Sequence, residues 1–466
     1  MMSLAELGHA CGGRLHAAGT LGFSGVSTDT RNLTAGTLFV ALRGEHFDGH
    51  DFVRASIERG AAAALVDEVW WSAQTGALEA SLPLVVVADT RRALGALAAA
   101  WRQRFAIPLI GVTGSNGKTT VKEMCAAILR AQAVQAGSAA ETVLATTGNL
   151  NNEIGVPLML LRLRESHRAA VIEMGMNHAG EIDYLTRMAA PTVALVNNAQ
   201  RAHLEGLGSL AAVARAKGEI FNGLAAGGVA VINADDPQAG LWRELAATAG
   251  IRQVTDFGLD QAAAVSATWQ PGAYGSVLHV RTPQGSCTIE LGIPGLHNIR
   301  NALAATAATL AAGVSLEAVA SGLSGYGGIK GRLQRRTAEN GALLIDDSYN
   351  ANPDSMRAAI DVLAALPGRK VLVLGDMGEV GEQSGQLHDE LGGYARSMGI
   401  DRLLALGEHA RAAVRNFGTG AQHFKELASL IEALRPLLDA QTTVLVKGSR
   451  FMRMERVADA IESKTD

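Results

Sequence analysis

A chain of 466 residues is too long for one ordinary core and calls for two to four domains. Its 48% apolar and 18% charged residues describe a globular protein with ample surface to bury. A formal net charge of −4 gives no basic field for wrapping nucleic acid, and three scattered cysteines, Cys11, Cys125 and Cys287, form neither a metal spacing nor a disulfide framework.

The opening "MMSLAELGHACGG" lacks the basic and long apolar regions of a secretory signal. Residues 301–320 are Ala-rich but broken by Thr, Gly and Glu, and read as two short buried helices rather than a membrane span. The expectation is a cytoplasmic protein, monomeric by default, with no membrane or nucleic-acid partner.

Residues 1–85 read as a small α/β domain with strands in "TLFVAL", "AAALVD" and "LPLVVVA" and a helix near 50–60. A helix at 90–105 follows, with Ala93, Leu94, Leu97 and Trp101 on one face. From 108 the rhythm is strand, helix, strand, helix. Strands "PLIGV", "AAVIEMG", "TVALVNN" and "GVAVIN" alternate with helices near 118–133, 178–190 and 209–224, which predicts a parallel sheet covered on both faces. Residues 264–295 alternate apolar and polar between Gly and Pro turns, as an antiparallel annex does, and helices near 298–323 close this region. The Gly-rich joint "SGLSGYGGIKGR" separates a central domain, 86–325, from a C-terminal Rossmann-like α/β domain, 326–466. That last domain has strands "ALLIDD", "KVLVLGD", "RLLALG" and "TVLVKG" but no G-x-G-x-x-G.

"GVTGSNGKTT", 111–120, has the make-up of a phosphate loop: glycines that let backbone N–H groups turn inward, a helix N-terminus behind them, and a lysine for the β/γ oxygens. Thr113, Gly114, Ser115, Asn116, Gly117, Lys118, Thr119 and Thr120 are the candidate nucleotide contacts, with the Thr119 hydroxyl placed for Mg²⁺. The strict motif wants glycine where Val112 stands, so this loop is a variant. It leaves ATP and GTP open, and the absence of N-K-x-D favours ATP.

Other polar clusters sit where strands end, which is where ligands gather in parallel sheets. "TTGNLNNEIGVPL" holds Thr147, Asn149 and Asn152 and reads equally as a capping segment. Glu173 is a candidate magnesium ligand or a helix-start carboxylate. His203 stands on the next strand's rim, and Lys217 lies in a helix where a lysine is ordinarily solvated. His297, Asn298 and Asn301 open a helix, where the amides read an adenine edge or cap. Arg332 lies just past the joint, placed to reach a phosphate after closure. Asp347, Asn350 and Asn352 crowd a strand-to-helix turn, and Lys447 with Arg450 make a basic rim.

In this order, "TGSNGKTT", "TTGNLNNEIGVPL", "EMGMNHAGEI", "AHLEGLGS", "AKGEI", "GLHNIRNA", "IDDSYNANPDSM", "VLGDMGEVG" and "KGSRFMRME" resemble the Mur ligases of peptidoglycan synthesis along essentially the whole chain. That family shares the variant phosphate loop. The resemblance implies an ATP-dependent amide ligase, most like the member that joins D-alanyl-D-alanine to UDP-N-acetylmuramoyl-tripeptide through an acyl phosphate. It also implies two Mg²⁺ ions near Thr119, Glu173, His203 and Lys217, with Lys217 carbamylated by CO₂. Lys118, Glu173, His203, Lys217 and Arg332 become catalytic candidates. Asn298, Asn301, Arg332 and Asp347 fall to the nucleotide. Asn350, Asn352, Lys447 and Arg450 fall to the dipeptide. Ser27, Asp29 and Arg31 fall to the UDP end. The diamino-acid signature D-N-P-R of a sibling ligase is absent; a sibling or a folylpolyglutamate-synthase-like enzyme is the alternative.

Overall fold

The computed structural model describes residues 1–16, 21–74, 82–201, 204–272, 274–378 and 380–463. Its first sheet runs, in spatial order, through Arg14–His16, Leu84–Val87, Ala63–Asp67, Thr37–Val40 and Gly25–Ser27. Only the Arg14–His16 edge is antiparallel. The three central strands are buried at every position, which is why they read as apolar runs without alternation. Leu84–Val87 carries this sheet two residues past position 85.

Helix Thr90–Arg102 follows, its N-terminus capped by Asp89, whose carboxylate accepts from the N–H groups of Arg91 and Arg92. Ala93, Leu94, Leu97 and Trp101 are all buried, as their spacing predicts, in a core shared by the first sheet and the central one. The central sheet has six parallel strands in the order Gln253–Phe257, Val229–Asn233, Val193–Val196, Leu109–Thr113, Ala169–Glu173 and Val143–Ala145. Both edge strands escape a reading by periodicity: Val143–Ala145 has only three residues, and Gln253–Phe257 is mostly polar with a single buried residue.

The annex has three antiparallel strands, Ser266–Pro271, Ser276–Thr282 and Gly285–Leu291. Helix Leu296–Ala311 is buried along most of its length and packs with Leu316–Ser324 against helix Lys118–Gln135. Its alanines permit that closeness, as does Gly322, where an added Cβ would lie 2.5 Å from the Ile128 backbone. No helix among the described residues is long and apolar enough to cross a membrane.

The C-terminal sheet runs Gln334–Thr337, Leu343–Asp347, Thr442–Lys447, Arg369–Gly375, Arg402–Leu406 and Ala421–Phe424. All its pairings are parallel except that of the Gln334–Thr337 edge, which fits a Rossmann-like layer. Beyond the strands Leu343–Asp347, Thr442–Lys447 and Arg369–Gly375, residues 349–352, Gly378, Val380 and Arg450 face the central sheet across one cavity.

Candidate active site

That cavity, about 970 Å³, opens between the carboxyl ends of the two six-stranded sheets. On the central side Leu109–Thr113 ends in the phosphate loop and helix Lys118–Gln135 begins at once. Gly117 adopts φ +80, and a Cβ there would lie 2.5 Å from Asn301 Oδ1 and 2.6 Å from Asn197 Nδ2, so conformation and space both demand glycine. The Lys118 ammonium folds back over the loop, donating to the carbonyls of Gly114 at 2.8 Å and Ser115 at 3.2 Å. Ser115, Asn116, Gly117, Lys118, Thr119 and Thr120 line the cavity. Thr113 does not: it is fully buried and its hydroxyl donates to the Met174 carbonyl, which removes its side chain from the expected nucleotide contacts.

Glu173 ends the neighbouring strand and lines the cavity, 2% exposed. Its Oε1 accepts from Asn151 Nδ2 at 2.8 Å, while Oε2 is buried without a partner. Lys217, in helix Leu210–Gly218, is buried and has no carboxylate partner among the described residues. Burial, with the Lys118 charge added, pushes its pKa well below the usual lysine value, so it is held toward the neutral amine. The expected solvated lysine is therefore corrected. His203 lies outside the described residues.

Asn298 and Asn301 are each 5% exposed and linked to one another. Asn301 Oδ1 accepts from Asn197 Nδ2, and Asn298 Nδ2 donates to the Pro294 carbonyl. This amide chain buttresses the phosphate loop from beneath at Gly117, a task the sequence did not assign to it.

The C-terminal sheet meets the loop directly. Arg332 Nη2 donates to Thr119 Oγ1 at 3.0 Å and its guanidinium lies 4.2 Å from the Tyr349 ring centre. Asn352 caps helix Pro353–Ala365 and exchanges hydrogen bonds with Asn116. Arg201 grips Asp354 at 2.7 Å. Asp347 pairs at 2.6 Å with Lys447, which also donates to the Asn350 carbonyl, and Arg450 pairs with Glu455 at the more open rim. Asn352 thus touches the phosphate loop rather than standing free for a dipeptide.

Asn149 and Asn152 line the cavity too, Asn152 accepting from the N–H groups of Ile154 and Gly155. Thr147 stays outside, its hydroxyl taken up by Arg162 and Met159. A second cavity of about 740 Å³ lies between the first sheet and the central one, with Arg43, Arg91, Arg92 and Tyr184 among its walls. It shares Asn152, Glu153, Gly175 and Glu181 with the first, so the two adjoin along these residues. Ser27, Asp29 and Arg31 line neither: they form a self-contained turn in which Asp29 pairs with exposed Arg31 and Ser27 bonds the Asp29 backbone.

Sequence reasoning missed Asn197, Asn198, Asp235 and Asp236. They end the strands Val193–Val196 and Val229–Asn233, and the carboxyl-end rule applied to "NNAQ" and "NADD" would have found them.

A phosphate loop facing a second α/β sheet across a shared cavity defines a nucleotide-using enzyme assembled from separate bodies. The chain belongs to the Mur ligase family. Three family models match it: the Mur ligase family catalytic domain at residues 22–102, the Mur ligase middle domain at 112–309, and the Mur ligase glutamate ligase domain at 331–450. The UDP-N-acetylmuramoyl-tripeptide–D-alanyl-D-alanine ligase of Escherichia coli K12 is 44% identical over 99% of this chain and 98% of its own. A crystal structure of MurF from Acinetobacter baumannii superposes with TM-score 0.89 at 38% identity, covering 98% of both chains. MurF from Thermotoga maritima, solved in complex with ADP, gives 0.80 at 26% identity over 93% of this chain and 96% of its own.

Proposed function

We propose that this chain is the ATP-dependent ligase that joins D-alanyl-D-alanine to UDP-N-acetylmuramoyl-tripeptide in peptidoglycan synthesis, acting as a cytoplasmic monomer of three domains near 1–85, 86–325 and 326–466. The carrying observation is the adjacency of the two cavities. A long substrate seated in the second, against the first domain, lies next to the cavity that holds the phosphate loop.

The terminal carboxylate of the tripeptide attacks the γ-phosphorus, the bond to the β-phosphate oxygen breaks, and ADP forms. The free amine of the dipeptide then attacks the acyl carbon, the carbon–oxygen bond breaks, orthophosphate leaves, and the amine gives up a proton. The N–H groups at the start of helix Lys118–Gln135 and the Lys118 ammonium hold the triphosphate, while those of Ser115 and Asn116 are taken by Asn198. Arg332 brings a second positive charge from the opposite sheet. Enclosure between the sheets keeps water from the acyl phosphate. Asn350, Lys447 and Arg450 border the acceptor's end, and Ser27, Asp29 and Arg31 serve the UDP end from outside both cavities.

Magnesium fits the donors: Glu173 Oε2 is a buried carboxylate oxygen without a partner, and Thr119 contributes a hydroxyl to the same cavity lining. Bound there, the cation supplies positive charge against the phosphoryl oxygens. Burial of Lys217 favours the neutral amine, the form of lysine that adds CO₂, and its carbamate would be a further oxygen donor for a second ion, alongside His203.

The test is release of ADP and orthophosphate from the muramyl tripeptide with and without the dipeptide. Both products should require ATP and accumulate only with D-alanyl-D-alanine, not with a diamino acid or glutamate. Lys118→Ala should abolish turnover while binding of the UDP substrate survives. Turnover with glutamate instead would move the chain to the folylpolyglutamate-type reaction.

A further inference from the structure

Among the described residues, two that line the large cavity have a buried side-chain atom without a hydrogen-bond partner. One is Glu173 Oε2, assigned above to a cation. The other is the hydroxyl of Tyr326, in the Gly-rich stretch between helix Leu316–Ser324 and strand Gln334–Thr337.

Tyr326 is 7% exposed, and its ring belongs to the core beneath the phosphate-loop helix, with Ile128, Ile293 and Leu323. Burial pushes the hydroxyl above its usual pKa, with the Glu123 carboxylate acting in the same sense and Arg332 against it. The group is a neutral O–H at neutral pH, able both to donate and to accept. Phenylalanine would fill the same volume without the cost of an unpaired polar atom, so the fold itself gives no reason for this oxygen.

Its neighbours indicate the partner. Lys118, folded over the phosphate loop, and the helix N-terminus behind it form the end of the cavity suited to terminal phosphates. Tyr326 lines the cavity together with Ile293 and Ile329, apolar residues of the same core, so the wall around its ring is apolar. Phosphate oxygens gain nothing from such a wall, whereas a nucleoside buries its faces there. We propose that the Tyr326 hydroxyl hydrogen-bonds the nucleoside half of the bound nucleotide, with its ring, Ile293 and Ile329 forming the surface against which that half lies. This rests on the ATP reading of the site.

Titration calorimetry of ADP and of inorganic tripolyphosphate against the full-length protein and Tyr326→Phe tests it, with the ligand-free unfolding midpoint measured alongside. Loss of one neutral hydrogen bond should weaken ADP roughly three- to tenfold and raise the KM for ATP to match. Tripolyphosphate, which lacks a nucleoside, should bind both proteins alike, and the ligand-free midpoint of the variant should equal or exceed that of the parent. Unchanged ADP affinity in the variant overturns the inference while leaving the ATP reading intact. Equal weakening of tripolyphosphate moves the hydroxyl to the phosphates and overturns it too, as does a lower ligand-free midpoint, which would mean that the protein itself satisfies the oxygen. Failure of the parent to bind ADP would overturn the ATP reading first.

Discussion

The two six-stranded sheets present carboxyl ends to the same cavity, yet the buried charges they bring to it are not treated alike. On the central side Glu173 keeps one oxygen unpaired and Lys217 has no carboxylate partner among the described residues. Among the residues lining the cavity on the C-terminal side Asp347 holds Lys447 and Asp354 holds Arg201, much as Asp235 and Asp260 hold Arg300 elsewhere on the central side. A buried polar atom left without a partner is expensive and persists where a ligand completes it. Paired charges fix positions. On the proposed function, Glu173 and Lys217 mark the place on the central sheet where ligands supply the missing charge, and the C-terminal sheet meets that side through Arg332 and Asn352.

Matched substitutions on the two sheets should break this contrast if it is wrong. Glu173→Gln should cost about 10²–10³-fold in turnover, the scale of losing one preorganised electrostatic contact in a reaction centre. Its unfolding free energy should not fall, because no partner charge is stranded. Asp347→Asn leaves the Lys447 ammonium, whose side chain is 4% exposed, without its carboxylate and should destabilise by roughly 3 kcal/mol. Urea denaturation of both variants beside a steady-state assay decides the matter. Equal destabilisation by the two would erase the distinction.

Legibility in the sequence followed the same division. The central strands and the phosphate loop were readable because apolar runs and a Gly-Lys-Thr helix start are local signals. The three-domain α/β architecture followed from their rhythm, and the family's solved members share it. What escaped was set by distance in space. Nothing local tells that the Asn298 and Asn301 amides prop Gly117 across nearly two hundred residues, or that Asn352 spends its side chain on Asn116. Thr113 was assigned by motif position, and only the neighbouring strand shows its hydroxyl turned to Met174. Lys217 looked like any helical lysine until packing buried it.

A third measurement sharpens the contrast at the seam between the sheets. His297 lines the cavity, and its pKa is driven down to about 4 by burial, with Asp347 and Asp361 opposing and Lys447 and Arg300 assisting. The unfolded chain takes up a proton near pH 6.5 that the folded protein refuses until about pH 4. Stability from this group is thus intact above pH 6.5 and lost as the pH falls toward 4, by on the order of 2–3 kcal/mol. Buried His388, also shifted down, acts in the same sense. His297→Gln should flatten part of the slope of unfolding free energy between pH 7 and 4.5; an unchanged slope would mean that the imidazole is hydrated in solution.

The smallest effect belongs to the seam's outer contact. Arg201 donates to Asp354 through its backbone N–H at 2.8 Å and through its guanidinium, but its side chain is 36% exposed, so the pair is worth no more than about 1 kcal/mol. That is too little to threaten either domain, each of which has its own core. It is enough to shift a balance between closed and open arrangements severalfold, since about 1.4 kcal/mol is tenfold. Arg201→Ala should leave the unfolding midpoint nearly unmoved and enlarge the ligand-free radius of gyration in small-angle scattering. Adding ADP should restore compactness, because Arg332 and Asn352 still reach the loop. Asp354→Asn should repeat the result, and the double variant should add little, as two halves of one contact must. A compact ligand-free Arg201→Ala would show that Arg332 and Asn352 hold the sheets together unaided.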